Sequence, residues 1–255
     1  MIMIWVALSS YILQDTSLMF DFKNLSLALL AFSLPIIFWL PLRNNYFASY
    51  QVESLERTIY RFAKNEKIFQ KMLEHQPAVE ISHFGGDIHS GDLSAPIQVT
   101  LVANPKCTPC AFAHSILEEI ARDNDQVNVT YRFLINDLDM ETAAYKALKT
   151  FYYLKLHQSD GSAIESISAW FESFLLSKTQ EWVEKYISIT SNEEPEVTRL
   201  VNDTILWCSH IGISKTPTIL INGKYMPDEY SVADLKYHLR KMSNAETVNS
   251  FLEEI

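Results

Sequence analysis

Residues 97–110 read Ile97-Gln98-Val99-Thr100-Leu101-Val102-Ala103-Asn104-Pro105-Lys106-Cys107-Thr108-Pro109-Cys110. The run Ile97–Val102 is apolar enough for a buried strand. From Ala111 onward, Phe112, Ile116, Leu117 and Ile120 recur at helical spacing. Between strand and helix stand two thiols three residues apart, placed so that they can close a disulfide with each other. The free N–H groups and the dipole at a helix start stabilise a thiolate. Strand, C-x-x-C, helix is therefore the sequence form of a dithiol redox site. Zinc is the competing reading of such a pair, but a zinc site normally takes four ligands. The third cysteine, Cys208, stands alone, and His114, four residues past Cys110, is the one ligand type close by. The expectation is a site without a metal and without a cofactor held by this domain.

Downstream, Gln126–Ile135 alternates Val127, Val129, Tyr131 and Phe133 on one face and predicts a second strand. With the intervening helix it makes a strand–helix–strand unit, so the two strands are expected to be parallel. From Asp139 to about Ile211 the pattern is helical. Ala143, Ala144, Leu148, Phe151 and Tyr152 step along one helix, and Ser162 with Glu165 three residues later reads as the capping box of another. Trp182–Ile187 and Pro195–Trp207 add further helical pieces. Strand signals return at Thr218–Ile221, Asn222-Gly223 predicts a hairpin turn, and Ser231 caps a last helix carrying Val232, Leu235, Leu239 and Met242 on one face. Upstream, Val79–Phe84 reads as a short strand. Gly85-Gly86-Asp87 and Ser90-Gly91-Asp92 read as turns, with His83 and His89 as surface residues around them. The fold class is α/β, a sheet interrupted by a helical insertion.

The N-terminal region has a different composition. Leu25–Leu42 carries no charge over eighteen residues, about the minimum for a membrane span, and Met1–Leu13 is apolar but only long enough for a partial one. This divides the chain into a membrane segment at 1–43, a connector helix at 44–76 and an α/β domain at 77–255. In the connector, Val52, Leu55, Ile59, Phe62, Phe69 and Leu73 share one side. Arg43, Arg57, Arg61, Lys64 and Lys67 follow the span and Lys23 precedes it, so charge bias alone would leave the α/β domain in the cytoplasm. The formal net charge of −10 and the lack of a basic stripe exclude nucleic-acid binding as the function class. Three cysteines in 255 residues do not make a disulfide scaffold. Cys208, beside Trp207, reads as a buried structural thiol, with a third redox thiol as the alternative.

A C-x-x-C at the first helix, with Thr216-Pro217-Thr218 entering a later strand, resembles the thioredoxin superfamily. The helical block between them resembles its DsbA-like branch. The resemblance implies a cis Pro217 facing the cysteine pair, Cys107 as nucleophile and Cys110 as resolving thiol. Thr108 and Pro109 then tune the pair, and Lys106 is either a stabilising charge beside Cys107 or an ordinary exposed lysine. Thr216 offers its backbone to an extended substrate segment. The stretches VANPKCTPCAFAH and WCSHIGISKTPTILINGKYMPDEYSVADL, behind a span and a charged connector, are similar to the C-terminal thioredoxin part of bacterial vitamin K epoxide reductase-like fusion proteins. That similarity implies a membrane-tethered thiol–disulfide oxidoreductase of the bacterial inner membrane, its redox domain facing the periplasm. It would oxidise dithiols of protein or peptide substrates. No cysteine precedes Cys107, so electrons would reach a quinone through a separate or missing vitamin K epoxide reductase-like partner module. The same site run the other way would be a disulfide reductase or isomerase. Without chemistry the chain would be a membrane-anchored peptide-binding adaptor.

Overall fold

Strand β2 (Ile97–Ala103) is the centre of a five-stranded sheet in the order β1-β3-β2-β4-β5, formed with β1 (Ile88–Ser90), β3 (Val127–Phe133), β4 (Thr218–Ile221) and β5 (Lys224–Tyr225). The computed structural model describes residues 22–81, 85–135, 142–190 and 194–253. A strand in the middle of a sheet covered on both faces has no side facing water, which is why β2 is apolar almost throughout. Val99, Leu101, Val102 and Ala103 are all fully buried. β3 runs parallel to β2, with Val99 beside Val129 and Leu101 beside Tyr131, as the strand–helix–strand pattern requires. β4 runs antiparallel on the other side of β2, with Leu101 beside Ile219. The β4–β5 turn has Asn222 at φ 47 and Gly223 at φ 79, the left-handed pair that a two-residue hairpin needs.

Two elements differ from the sequence expectation. Ile88–Ser90, read as part of a turn-rich loop, is strand β1, paired antiparallel to β3 with Ile88 opposite Tyr131. Its three residues lie between glycine turns too close together for alternation to show. Gly91 lets the chain leave the strand at φ +103, where a Cβ would run into the Val127 carbonyl. The strand expected over Val79–Phe84 does not form at 79–81, residues 82–84 lie outside the described residues, and Ala78 makes an isolated bridge to Lys224.

Nearly all the expected helices form. The long helix α1 (Phe22–Ala63) is followed by α2 (Glu66–His75), so the connector expected as one helix over 44–76 is broken. The break is at Asn65, whose side-chain oxygen accepts the Ile68 N–H at 3.3 Å and starts a new helix. α3 (Thr108–Asp123) leaves the C-x-x-C. The helical block comprises α4 (Ala143–His157), α5 (Asp160–Leu175), α6 (Thr179–Lys185), α7 (Ile187–Thr190) and α8 (Pro195–His210), and α9 (Val232–Glu253) closes the chain. α5 starts earlier than the Ser162 capping box predicts, because Ser159 accepts the Ser162 N–H at 3.1 Å and is the cap.

The described residues fall into two compact units, divided between Tyr60 and Arg61. In the second, Phe69 of α2 is fully buried, stacked on His238 at 4.2 Å and edge-on to Tyr230 at 4.9 Å. α3 packs against α5 and α9, and α4 packs against α5 and α8. β3 is buried on both faces, including the one that carries Asn128, Thr130 and Arg132. Arg132 is tolerated there because its Nε and Nη2 donate to the two Asp87 oxygens at 2.7 and 2.8 Å, and its guanidinium lies 3.9 Å from the centre of the Trp207 ring. In the first unit, Leu29, Leu30, Phe32, Leu34, Ile36, Ile37, Phe38 and Trp39 of α1 are exposed. Among the described residues no helix is long and apolar enough to cross a membrane. Side chains in the expected span are described at 29–40 and 42 only, and Met1–Leu13 lies outside the described residues. The structure thus does not support the transmembrane helices expected ahead of the α/β domain.

Candidate functional site

The chain leaves β2 at Ala103 and reaches α3 through one tight turn. The Asn104 carbonyl accepts the Cys107 N–H at 3.0 Å, and the Asn104 side chain accepts the Lys106 N–H at 2.8 Å. Asn and Pro are the residues for such a turn: one bonds its own backbone two residues on, the other fixes φ at the next position. The turn delivers Cys107 as the N-cap of α3, with Pro109 in the first helical turn where its missing N–H costs nothing. Helix α3 thus begins at Thr108 and not at Ala111.

Both thiols are free. Cys107 is half-buried, and its sulfur accepts the Cys110 N–H at 3.3 Å, one of the unpaired donors of the helix start. Its thiol donates to the Thr216 carbonyl at 3.5 Å. Cys110 is fully buried, and its sulfur accepts the Asn104 N–H at 3.5 Å. Burial, reinforced by the adjoining Cys107 side chain, pushes the Cys110 thiol up to about 12. The pair is therefore unequal: one sulfur is open to a partner, and the other is sealed beneath it and protonated across the neutral range.

Thr216-Pro217 joins at a cis peptide bond, immediately before β4. β4 pairs with β2, which ends in the cysteine turn, so the sheet register brings residues 109 apart in sequence together. The structure gathers Cys107, Cys110 and Thr216 by direct contact, with Pro217 next along the chain. Lys106, Thr108 and Pro109 are exposed around the entrance, and the Lys106 contact found in the turn is made by its backbone.

His114 is not at the surface of α3. It is buried, its Nε2 lies 2.8 Å from the Ser168 hydroxyl, and its ring packs against Tyr131 and Phe171. Burial lowers its pKa to about 4. His89, expected at the surface, is half-buried in β1 with Nδ1 3.1 Å from the Thr130 hydroxyl, while His83 lies outside the described residues. Cys208 is fully buried, and burial pushes its thiol up to about 11. Among the described residues no group of three or more His, Cys, Asp or Glu could hold a metal ion. Two further residues shape the site, Asn104 and Trp170. Asn104 was signalled by its place in an Asn-Pro turn. Trp170, whose indole N–H donates to the Pro105 carbonyl at 2.9 Å, comes from helix α5 and was one aromatic among many.

A sequence profile of the family described as Thioredoxin matches residues 83–241, more than half of the chain. Among solved structures, the fold is similar to that of oxidised BdbD from Bacillus subtilis, with a TM-score of 0.52 and 16% identity over 65% of this chain and 97% of that one. It is also similar to ScsC from Proteus mirabilis in a transitional conformation, with a TM-score of 0.51 and 11% identity over 85% of this chain and 98% of that one. No curated protein matches the sequence.

Proposed function

Because the chain belongs to the thioredoxin family, we propose that it is a thiol–disulfide oxidoreductase working through Cys107 and Cys110. The observation that carries this reading is the asymmetry of the pair: a half-buried Cys107 sulfur held between the Cys110 N–H and the Thr216 carbonyl, above a sealed Cys110. In the oxidising direction the pair begins as a disulfide. A substrate thiolate attacks the Cys107 sulfur, the 107–110 bond breaks, and Cys110 leaves with the electron pair and takes a proton. A second substrate thiolate attacks the mixed disulfide, forming the substrate disulfide and releasing Cys107 as a thiolate. Two electrons have passed from the substrate to the pair. Thr216, half-buried beside the reacting sulfur, offers backbone to an extended substrate segment.

The substrates in this reading are proteins or peptides with thiols. The oxidising direction, and reoxidation through a vitamin K epoxide reductase-like module feeding a quinone, rest on the sequence resemblance. The anchor is the uncharged Leu25–Leu42 stretch, supported by the exposed apolar side chains of α1, and it holds the redox domain on the periplasmic side of a bacterial inner membrane. In cells, a Cys110→Ser chain should accumulate mixed disulfides, formed when the Cys107 thiolate attacks a partner disulfide, because the Cys110 thiol that would break them from within the site is gone. A Cys107→Ser chain should accumulate none. Equal trapping by the two variants, or none by either, would overturn the reading. Alkaline carbonate washing tests the anchor: a chain released into the soluble fraction is not inserted in the bilayer.

A further inference from the structure

The helical insertion reaches back to the cysteine turn at one atom. Trp170 of α5 is 1% exposed, and its indole N–H donates to the carbonyl of Pro105 at 2.9 Å. Pro105 is itself buried, so this carbonyl has no recourse to water and depends on a protein donor. The ring is not free to turn away. It meets Trp182 edge-on at 5.1 Å and 82°, and Trp182 is in turn stacked on Tyr186 at 4.5 Å.

The position of the acceptor gives the contact its consequence. In the turn Asn104-Pro105-Lys106-Cys107, closed by the Cys107 N–H to the Asn104 carbonyl at 3.0 Å, the Pro105 carbonyl belongs to the central peptide. Turning that peptide over is what interconverts the two common turn types, and the alternative type puts the third residue at positive φ. Lys106 occupies that third position. Ser177 and Asn222 are the non-glycine residues with positive φ among the described ones, so Lys106 is in the first type. The same turn presents the Asn104 N–H to the Cys110 sulfur at 3.5 Å and sets Cys107 as the N-cap of α3. The geometry points to Trp170 as a positioning residue: by holding the Pro105 carbonyl it locks the turn in the form that places both sulfurs and keeps a donor on the Cys110 thiol.

This rests on the reading of Cys107–Cys110 as a redox pair and adds a direction to it. The structure is that of the dithiol, and in it the Cys110 sulfur has this donor. Loosening the turn weakens that form relative to the disulfide, so the variant becomes easier to oxidise. Trp170→Phe keeps the ring and removes the N–H. Trp182→Phe is the matched control, because its indole nitrogen has no hydrogen-bond partner among the described residues although it belongs to the same aromatic cluster.

The test is the thiol–disulfide equilibrium of the full chain against glutathione, read by mass after alkylation. Trp170→Phe should shift the equilibrium toward the disulfide by about fivefold to tenfold, the size of a lost hydrogen bond. Trp182→Phe should titrate with the wild type. If both variants shift alike, or Trp170→Phe does not shift, the inference fails while the redox assignment stands. If the wild type itself never forms the 107–110 bond, both fail. Should Trp170→Phe not fold, the wild type supplies the readout through its labelled indole N–H groups. The Trp170 proton should exchange slowly with solvent and change frequency between dithiol and disulfide forms. Unchanged frequency between the two forms would overturn the inference.

Discussion

At the scale of single residues, the two active thiols differ because their surroundings differ. Cys107 is half-buried at the helix start, whereas Cys110 is fully buried and its thiol is pushed up to about 12. Brief treatment of the reduced protein with iodoacetamide at neutral pH should therefore modify Cys107 and leave Cys110 and the buried Cys208 unmodified, as peptide mass mapping would show. Equal labelling of 107 and 110 would contradict the described burial. His114 makes a second residue-scale prediction. Burial lowers its pKa to about 4, so the unfolded chain binds a proton there that the folded chain refuses. Its contribution to stability is complete above about pH 6.5 and is lost as the pH falls toward 4. His114→Gln should flatten that part of the stability profile by up to about 3 kcal/mol in denaturant unfolding below pH 4. The cysteines and Thr216-Pro217 were legible in the sequence because each is marked by a short local pattern. The burial of His114 was not, since a histidine at helical spacing from Cys110 looks the same whether it faces solvent or Ser168.

Elements were legible in proportion to their length. β2, β3 and β4, with α3, α4 and α8, announced themselves by unbroken apolar runs or helical spacing. The three residues of β1 could not, because a strand so short between glycine turns has no period to detect. The same brevity makes its exit turn critical. Gly91, at φ +103 and pressed against the Val127 backbone, has room for no side chain. Gly91→Ala should destabilise the domain by at least about 1 kcal/mol in urea unfolding, with β1 lost first from amide-exchange protection. The break between α1 and α2 also lay below the reach of periodicity. The apolar side of the connector runs on through it in sequence, and only the Asn65 cap, with Phe69 docked on His238 and Tyr230, divides it.

Across the whole molecule, the contacts that join distant segments left no trace in any window of sequence. Asp87 and Arg132 are 45 residues apart, and Trp170 is 65 from Pro105. Removing one member of a buried ion pair strands the other charge, so Asp87→Ala should cost about 3–5 kcal/mol of stability and leave residual redox chemistry in the fraction that still folds. A smaller loss, measured by thermal unfolding, would mean that water reaches Arg132. These contacts position a turn, a helix start and a strand entry around two sulfurs, and the functional account stands or falls on what those sulfurs do. The most direct test equilibrates the purified chain in glutathione buffers of increasing oxidising strength and measures mass after alkylation. The account predicts a single two-electron transition in which 107 and 110 lose their labels together and appear in one linked peptide. A chain that keeps both labels at every ratio, or that links Cys208 instead, would contradict it.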